Sequence, residues 1–119
     1  MNNITSPRPD TDETIEAEIR RRGLTAPRIA PEDIEKAVAA EQFHVFPGTM
    51  LTICCLTLRN GFTVTGESAC ASPENFDAEI GERIARANAA QKIWPLLGYQ
   101  LRSMLAAKAE RQHLPGLPE

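Results

Sequence analysis

The segment 50–69 constrains the fold most, because it predicts a β-hairpin whose first strand is apolar on both faces. Residues 50–58 are rich in β-prone side chains, and Asn60-Gly61 is a strong signal for a two-residue type I′ turn. Such a turn pairs Arg59 with Phe62. The resulting pairs are Thr57 with Val64, Cys55 with Gly66 and Ile53 with Ser68 on one face, and Leu58 with Thr63, Leu56 with Thr65 and Cys54 with Glu67 on the other.

A hairpin of this kind needs cover on both faces, since an isolated two-stranded ribbon is marginal in water. A C-terminal helix can cover one face. The other face needs either the N-terminal helices or a second copy of the chain, and we expect a homo-oligomer, with a dimer as the default. Gly66, inside the second strand, predicts either a bulge or a close approach of another backbone.

Two short helices are predicted before the hairpin. "TDETIEAEIRRRG" begins at Thr11 or Asp12, has acidic residues in its first turn and arginines in its last, and stops at Gly23. "PEDIEKAVAAEQF" begins at Pro31, which suits the first helical position, and covers residues 31–43. It places Ile34, Ala37, Val38 and Glu41 on one side.

One long helix is predicted after the hairpin. It begins at Ser72-Pro73, carries an apolar stripe and kinks or breaks at Pro95, near Ile93 and Trp94, because proline removes an N–H and crowds the preceding turn. The stripe before the break comprises Phe76, Ile80, Ile84 and Ala87, and the stripe after it Leu97, Leu101, Met104 and Leu105. The fold class is therefore α+β, with a frayed arm at 1–10, a single domain at 11–110 and a frayed tail at 111–119.

Size and charge limit the function classes. The 119 residues are enough for one domain, and 42% hydrophobic residues are enough for it to fold. A net charge of -3 does not favour a nucleic-acid surface, which needs clustered Lys and Arg. No segment has the length and apolarity of a signal peptide core or a membrane span. We therefore expect a cytoplasmic protein that binds neither nucleic acid nor membrane.

The residue types used in catalysis are sparse. Cys70 could act as a nucleophile only with His44 or His113 as its base, and no spacing supports either pairing. Metal binding by Cys54, Cys55, Cys70 and His44 lacks a C-x-x-C type of spacing. Glu67 with Asp77 or Glu79 is better explained by helix capping and surface charge. We expect buried reduced thiols, no cofactor, no metal and no enzymatic activity.

Binding is the better supported class, and eight residues are candidates for it. Ser68 and Asn75 lie where the hairpin meets the next helix, whose N–H groups could hold an anion, although helix capping explains them as well. Further along, charged, amide and aromatic side chains could hold a nucleotide-like ligand, although Trp94 is better explained as core. These are Arg83, Arg86, Asn88, Lys92, Trp94 and Tyr99.

The run "TLRNGFTVTGESACASPENFDAEIGERIARANAAQKIWPLLGYQL" resembles a family of small bacteriophage and prophage proteins, typified by the gene 49 product of phage N-four and the gene 66 product of phage Sf-six. The likeness rests on the NGF turn, "GESAC", "NFDAEIG" and "KIWPLLGY", and covers roughly residues 51–101. The upstream "IEAEIRRRGLTAPRI" is also similar to the family's leader. Family members commonly read "WPLEGY", so Leu97 stands here where that Glu would be.

The resemblance implies a phage-encoded accessory protein that works inside a bacterium, and it implies no catalytic residue. Two hypotheses follow. In the first, a homo-oligomer sequesters a small anionic, nucleotide-type defence signal at a subunit junction using Arg83, Arg86 or Lys92. In the second, the apolar kink region or the acidic N-terminal helix binds a host protein and inhibits or redirects it. A cysteine-dependent enzyme using Cys70 is the third alternative.

Overall fold

The computed structural model describes residues 11–113, and it has the α+β class that the sequence predicts. A three-stranded antiparallel sheet, with strand order β1-β2-β3, is covered on one face by helices. The elements in chain order are α1 (Asp12–Arg21), α2 (Pro31–Ala37), β1 (Val38–Val45), β2 (Leu51–Leu58), β3 (Thr63–Ala69), a 3-10 turn (Pro73–Asn75), α3 (Ala78–Gln91) and α4 (Ile93–His113). The predicted arm at 1–10 and the last residues of the predicted tail lie outside the described residues.

Helix α1 begins at the predicted N-cap. The Thr11 hydroxyl accepts a hydrogen bond from the Thr14 N–H at 3.2 Å, and the Thr14 hydroxyl accepts one from the Thr11 N–H at 2.9 Å. This reciprocal arrangement is a capping box, which satisfies two backbone donors at once. After Arg22, Gly23 adopts a φ of 67°, a left-handed conformation that glycine accepts without strain.

The predicted second helix is too long, and the sheet has one more strand than predicted. Helix α2 ends at Ala37, and residues 38–45 form β1, which pairs antiparallel with β2. Val38, Phe43 and Val45 have high strand propensity, and β1 satisfies the backbone groups on the free side of β2. A register shift between Val38 and Ala40 marks the entry to the strand. The ladder with β2 therefore outweighs the helix propensity of the alanines.

The hairpin lies where it was predicted, but its register differs by one residue. The Leu58 N–H donates to the Phe62 carbonyl at 2.7 Å, so the loop has three residues, 59–61, instead of two. Gly61 has a φ of 91°, and the Asn60 side chain accepts from the Phe62 N–H at 2.9 Å. These features fit a three-residue loop that ends in a glycine bulge. Leu56 consequently pairs with Val64, and Cys54 pairs with Gly66.

The buried face of the sheet packs against the small side chains of α3. The core combines residues of β2 and β3 with residues of α2, α3 and the start of α4. It comprises Ile34, Cys54, Leu56, Leu58, Val64, Ala85, Ala89 and Ile93. The predicted helix stripe is wrong, because Ile80, Ile84 and Ala87 are exposed and the buried face is Gly81, Ala85 and Ala89. Periodicity identified a helix, but a glycine-alanine face lets it approach the sheet more closely than an isoleucine face would.

The closest approach is at Gly66, which is the second of the two alternatives predicted for this glycine. A Cβ built on Gly66 would lie 2.2 Å from the Ala89 nitrogen and 2.3 Å from the Ala85 oxygen, both backbone atoms that cannot move aside. Two residue pairs further along the β2–β3 ladder, Thr52 faces α3, and a Cβ on Gly81 would lie 3.1 Å from its Oγ1 atom. That buried hydroxyl has no hydrogen-bond partner among the described residues. Only glycine fits at position 66.

The C-terminal helical segment breaks close to the predicted place. Helix α3 ends at Gln91, Lys92 caps it, and α4 begins at Ile93. Pro95 is then the third residue of α4, where its missing N–H would have had no partner within the helix. Helix α4 continues to His113, the last residue that the structure describes. Among the described residues, no helix combines the length and apolarity needed to cross a membrane.

The opposite face of the sheet has no cover within residues 11–113. Along β2, the residues of this face (Leu51, Ile53, Cys55 and Thr57) are only half-buried. Helix α2 does not provide the cover, because Ile34 belongs to the core on the α3 side. Cys54 is buried and its neighbour Cys55 faces the uncovered side, as alternation along a strand predicts.

The close approach at Gly66 predicts a large effect of a single methyl group. We expect Gly66→Ala to destabilise the protein by about 3 kcal/mol, because the helix and the strand would have to move apart. The matched control is Gly98→Ala in α4, where a Cβ meets nothing within 4 Å. It should raise stability by roughly 0.5 to 1 kcal/mol through helix propensity. Urea unfolding measures both, and equal stability of the Gly66 variant and wild type would contradict the packing.

Candidate functional site

The eight predicted binding residues do not form one site. Arg83, Arg86 and Trp94 line a groove of about 370 Å³ between α3 and the N-terminal helices. Ser68 and Asn75 line a separate cavity of about 90 Å³. The remaining three, Asn88, Lys92 and Tyr99, line neither of these spaces.

Arg86 is held by two carboxylates of the same chain. Its Nη1 and Nη2 donate to the two carboxylate oxygens of Glu35 at 3.2 and 2.9 Å, and its Nε donates to Glu41 Oε1 at 2.6 Å. These hydrogen bonds raise the pKa of the Arg86 guanidinium above its ordinary value. Arg86 thereby joins α3 to both α2 and β1, and its nitrogens are already engaged by carboxylates.

The groove beside Arg86 carries more acid than base. Two guanidiniums, those of Arg83 and Arg86, face the carboxylates of Asp12, Glu13 and Glu35. Trp94 lies against the core and is half-buried, as the packing interpretation predicted. This charge balance does not favour a free anion, because the carboxylates compete for the same guanidiniums.

The remaining three predicted binding residues either have a local structural role or are exposed to solvent. Asn88 Nδ2 donates to the Glu67 carbonyl at 2.8 Å, which ties α3 to the edge of β3. Lys92 is the exposed C-cap of α3, where a cation suits the helix dipole. Tyr99 on α4 is 77% exposed.

The cavity at Ser68 and Asn75 is a helix-capping region. Asp77 is the N-cap of α3, and its Oδ1 accepts from the Ile80 N–H at 3.0 Å. The volume of about 90 Å³ is small against the roughly 300 to 1,000 Å³ of ordinary ligand pockets. The sequence predicts a helix start at Ser72-Pro73, but α3 begins at Ala78 with Asp77 as its N-cap, after the 3-10 turn.

Among the described residues, no hydrogen bond and no metal-binding group joins the residues considered for catalysis. No hydrogen bond joins Cys70 to His44, since Cys70 Sγ lies 3.4 Å from the Ser72 oxygen and the His44 ring packs edge-on against Phe46. Burial raises the pKa of the Cys54 thiol, which disfavours the reactive thiolate. Residues 11–113 contain no group of three metal-ligating side chains.

An ion pair between α1 and the following linker, formed by a buried glutamate and a half-buried arginine, was not predicted. Glu16 is buried, and its carboxylate accepts hydrogen bonds from both terminal nitrogens of Arg28, one at 2.7 Å. The hydrogen bonds from Arg28 hold the pKa of Glu16 below its usual value. The two residues are twelve positions apart, across a linker, so no helical spacing could have indicated the contact.

A second feature missed from the sequence is an apolar groove of about 380 Å³ between the hairpin loop and the start of α4. It is lined by Ala37, Leu58, Arg59, Asn60, Phe62, Leu96, Leu97 and Gln100. Phe62 is 56% exposed and Leu96 is 37% exposed. The "IWPLL" run had indicated an apolar kink region, but only the fold brings it to the hairpin loop.

The two carboxylates around Arg86 predict a structural role for this residue. Arg86→Gln should lower the free energy of unfolding by about 1 to 2 kcal/mol, because it removes charge-assisted hydrogen bonds to two elements. The difference should shrink in molar salt, since Glu35 and Glu41 are exposed. Arg83→Gln is the control, because Arg83 is exposed and forms no ion pair within the described chain. If both variants unfold alike, the hydrogen bonds from Arg86 to Glu35 and Glu41 contribute nothing to stability.

The Glu16–Arg28 pair predicts a dependence of stability on pH. Because folding lowers the pKa of Glu16, its ionised form stabilises the protein above the usual value of 4.5, and this contribution disappears as the pH falls through the lowered pKa. Glu16→Gln should therefore melt below wild type at pH 7, and the two melting temperatures should approach each other as the pH falls below 4.5. Arg28→Gln should give the same convergence. A constant difference from pH 7 to pH 3 would contradict the linkage.

Comparison with known proteins gives a family and nothing further. No curated protein and no solved structure matches the chain. The family model described as "Phage protein (N4 Gp49/phage Sf6 gene 66) family" matches residues 29–105, from the segment before α2 to the middle of α4. The match includes the whole sheet, α3 and the apolar groove. The chain therefore belongs to the N4 Gp49/Sf6 gene 66 family of phage proteins.

Proposed function

We propose that this phage protein acts without catalysis, in the cytoplasm of the bacterial host, by binding a host protein in the apolar groove formed by the hairpin loop and the start of α4. The observation that carries this proposal is the groove itself. Its volume of about 380 Å³ lies in the ordinary range for binding sites, and its walls come from α2, the hairpin and α4. Leu58 is buried at its base, while Phe62 and Leu96 present apolar surface to solvent.

The charge around the groove defines the partner's chemistry. The lining residues include Arg59 and no acidic residue, in a chain whose net charge is -3. The Nε of Arg59 donates to the Lys36 carbonyl at 2.5 Å, so the backbone of a second basic residue lies beside the groove. An apolar segment with acidic residues on its flanks would place its apolar side chains on Phe62 and Leu96 and its carboxylates near Arg59.

Exposed apolar residues elsewhere support association in general. Ile80 and Ile84 on α3 and Phe76 just before it are exposed, and on α4 Tyr99 and Met104 are exposed. Monomeric proteins rarely leave contiguous apolar surface of this kind uncovered. The open sheet face adds to it. We therefore propose that the protein is also a homo-oligomer, with part of this surface buried between copies.

Sequestration of a small anionic nucleotide-type signal by this oligomer is the second candidate. Arg83 supports it, because it is exposed on the groove next to Trp94 and has no ion pair within residues 11–113. The three carboxylates of that groove weigh against it, and so does the engagement of Arg86. A second copy would have to supply further cations for an anion to bind there.

A photo-crosslinking experiment tests the groove. A benzophenone amino acid at Leu96 should crosslink one host protein when the full chain is expressed in bacterial cells. The same amino acid at Tyr99, on the same helix but outside the groove, is the control and should not crosslink that protein. Arg59→Glu should abolish the Leu96 product, because the groove loses its cation. Circular dichroism confirms that each variant is folded.

The crosslinked segment decides the outcome. Mass spectrometry should locate the crosslink in an apolar segment of the host protein with acidic neighbours. Absence of a product at Leu96, or equal products at Leu96 and Tyr99, would overturn the groove proposal. Calorimetry of the purified protein with cyclic and linear nucleotides tests the second candidate. Binding heat that disappears in Arg83→Gln would favour sequestration instead.

A further inference from the structure

The two edges of the sheet differ in their exposure to another strand. β3 forms one edge and β1 the other. On the β3 edge, the Asn88 side chain donates to the Glu67 carbonyl, which occupies a backbone acceptor that an incoming strand would need. On the β1 edge, the side-chain hydrogen bond that residues 11–113 show is the one that the Glu41 carboxylate accepts from Arg86 on α3, and it leaves the backbone free.

The pairing pattern shows which groups of β1 are free. The Leu58 N–H bonds to the Phe62 carbonyl, and antiparallel hydrogen-bonded pairs alternate along a ladder. Even-numbered residues of β2 therefore bond to β3, and odd-numbered ones bond to β1 through Ala40, Gln42 and His44. The backbone groups of Glu41, Phe43 and Val45 consequently point away from the sheet. None of them has a backbone partner within residues 11–113.

The β1 edge also lacks the features that prevent strand pairing. Natural edges are protected by proline, by charged side chains or by short length. β1 has eight residues, no proline and one charge, and that charge is directed to Arg86 in the helical layer. Every molecule of this protein has the same β1 edge, so a matching edge is present wherever the protein is. A strand can pair antiparallel with the same strand of a second molecule about a twofold axis.

We propose that β1 of one molecule pairs antiparallel with β1 of a second, so that two three-stranded sheets become one six-stranded sheet. This inference deepens the self-association in the proposed function and does not depend on the groove or its host partner. It specifies that the odd-numbered residues Glu41, Phe43 and Val45 supply the hydrogen bonds between the two copies. The uncovered face of β2 then continues across both molecules.

Two lysine substitutions on one row of the sheet test the interface. Gln42 and Thr65 are both Cα partners of Cys55, both are exposed, and they lie on opposite edges of the same face. Gln42→Lys should raise the dimer dissociation constant at least tenfold, because each copy brings a like charge to the new strand pair. Thr65→Lys should leave it unchanged. Light scattering with size-exclusion chromatography over a micromolar concentration series measures both variants against wild type.

Each outcome of the lysine pair decides the matter. Equal weakening by both substitutions means that the open faces stack, and weakening by Thr65→Lys alone means that β3 is the interface. Either result overturns the proposal, as does a wild type that is monomeric at every concentration.

A second measurement introduces one cysteine at a time at residues 40 to 44, in a Cys55→Ser, Cys70→Ser background in which Cys54 stays buried. If the edges pair, the cysteine next to the twofold axis forms a disulfide with the same cysteine of the second molecule. Absence of a disulfide at every one of these positions also overturns the proposal.

These results are independent of the groove experiment. A dimer that dissociates in Gln42→Lys but retains the Leu96 crosslink would confirm the edge and leave the groove proposal intact. Loss of the Leu96 product in Arg59→Glu with no change in dimerisation would support the groove proposal and leave the edge proposal intact.

Discussion

The contact between the backbone of α3 and the backbone of β3 determines much of the molecule. At Gly66 the helix lies so close that not even a methyl group fits between them. Close approach increases dispersion contacts and excludes water from the sheet face, but it requires small residues on the helix, here Gly81, Ala85 and Ala89. The larger side chains of α3 must then lie on its other faces. The exposed Ile80 and Ile84 are thus a consequence of how tightly the core is built.

Local chemistry explains what could be predicted from the sequence. The α+β class follows from a β-prone segment with an Asn-Gly turn between segments of helical periodicity. The break near Pro95, and the choice at Gly66 between a bulge and a close backbone approach, follow from residue types whose conformational limits are strong. Cys54 is buried and its neighbour Cys55 lies on the opposite face because side chains alternate between the two faces of a strand. These statements hold because neighbours in the chain are enough to decide them.

Competition between distant segments explains what was missed. The alanines and the glutamate of residues 38–43 favour a helix, but these residues instead form backbone hydrogen bonds with β2. Two apolar stripes of different size run along α3, and periodicity cannot say which one faces the sheet. The predicted binding role of Arg86 could not be weighed from the sequence, because its carboxylate partners lie 45 and 51 positions away. The apolar groove similarly requires the hairpin loop and α4 to meet, although they are more than thirty positions apart.

The proposed edge and the proposed groove have a geometric relation that bears on function. The groove includes Ala37, which immediately precedes β1, and Asn60 in the hairpin loop, so it lies at the end of the sheet where β1 begins. If β1 pairs antiparallel with its copy, the two strands begin at opposite ends of the joined sheet, and the two grooves do too. Such a dimer would hold two partner segments at once on a rigid frame. Since linked sites strengthen binding only when both can be occupied together, this arrangement favours a partner that is itself oligomeric or carries the segment twice.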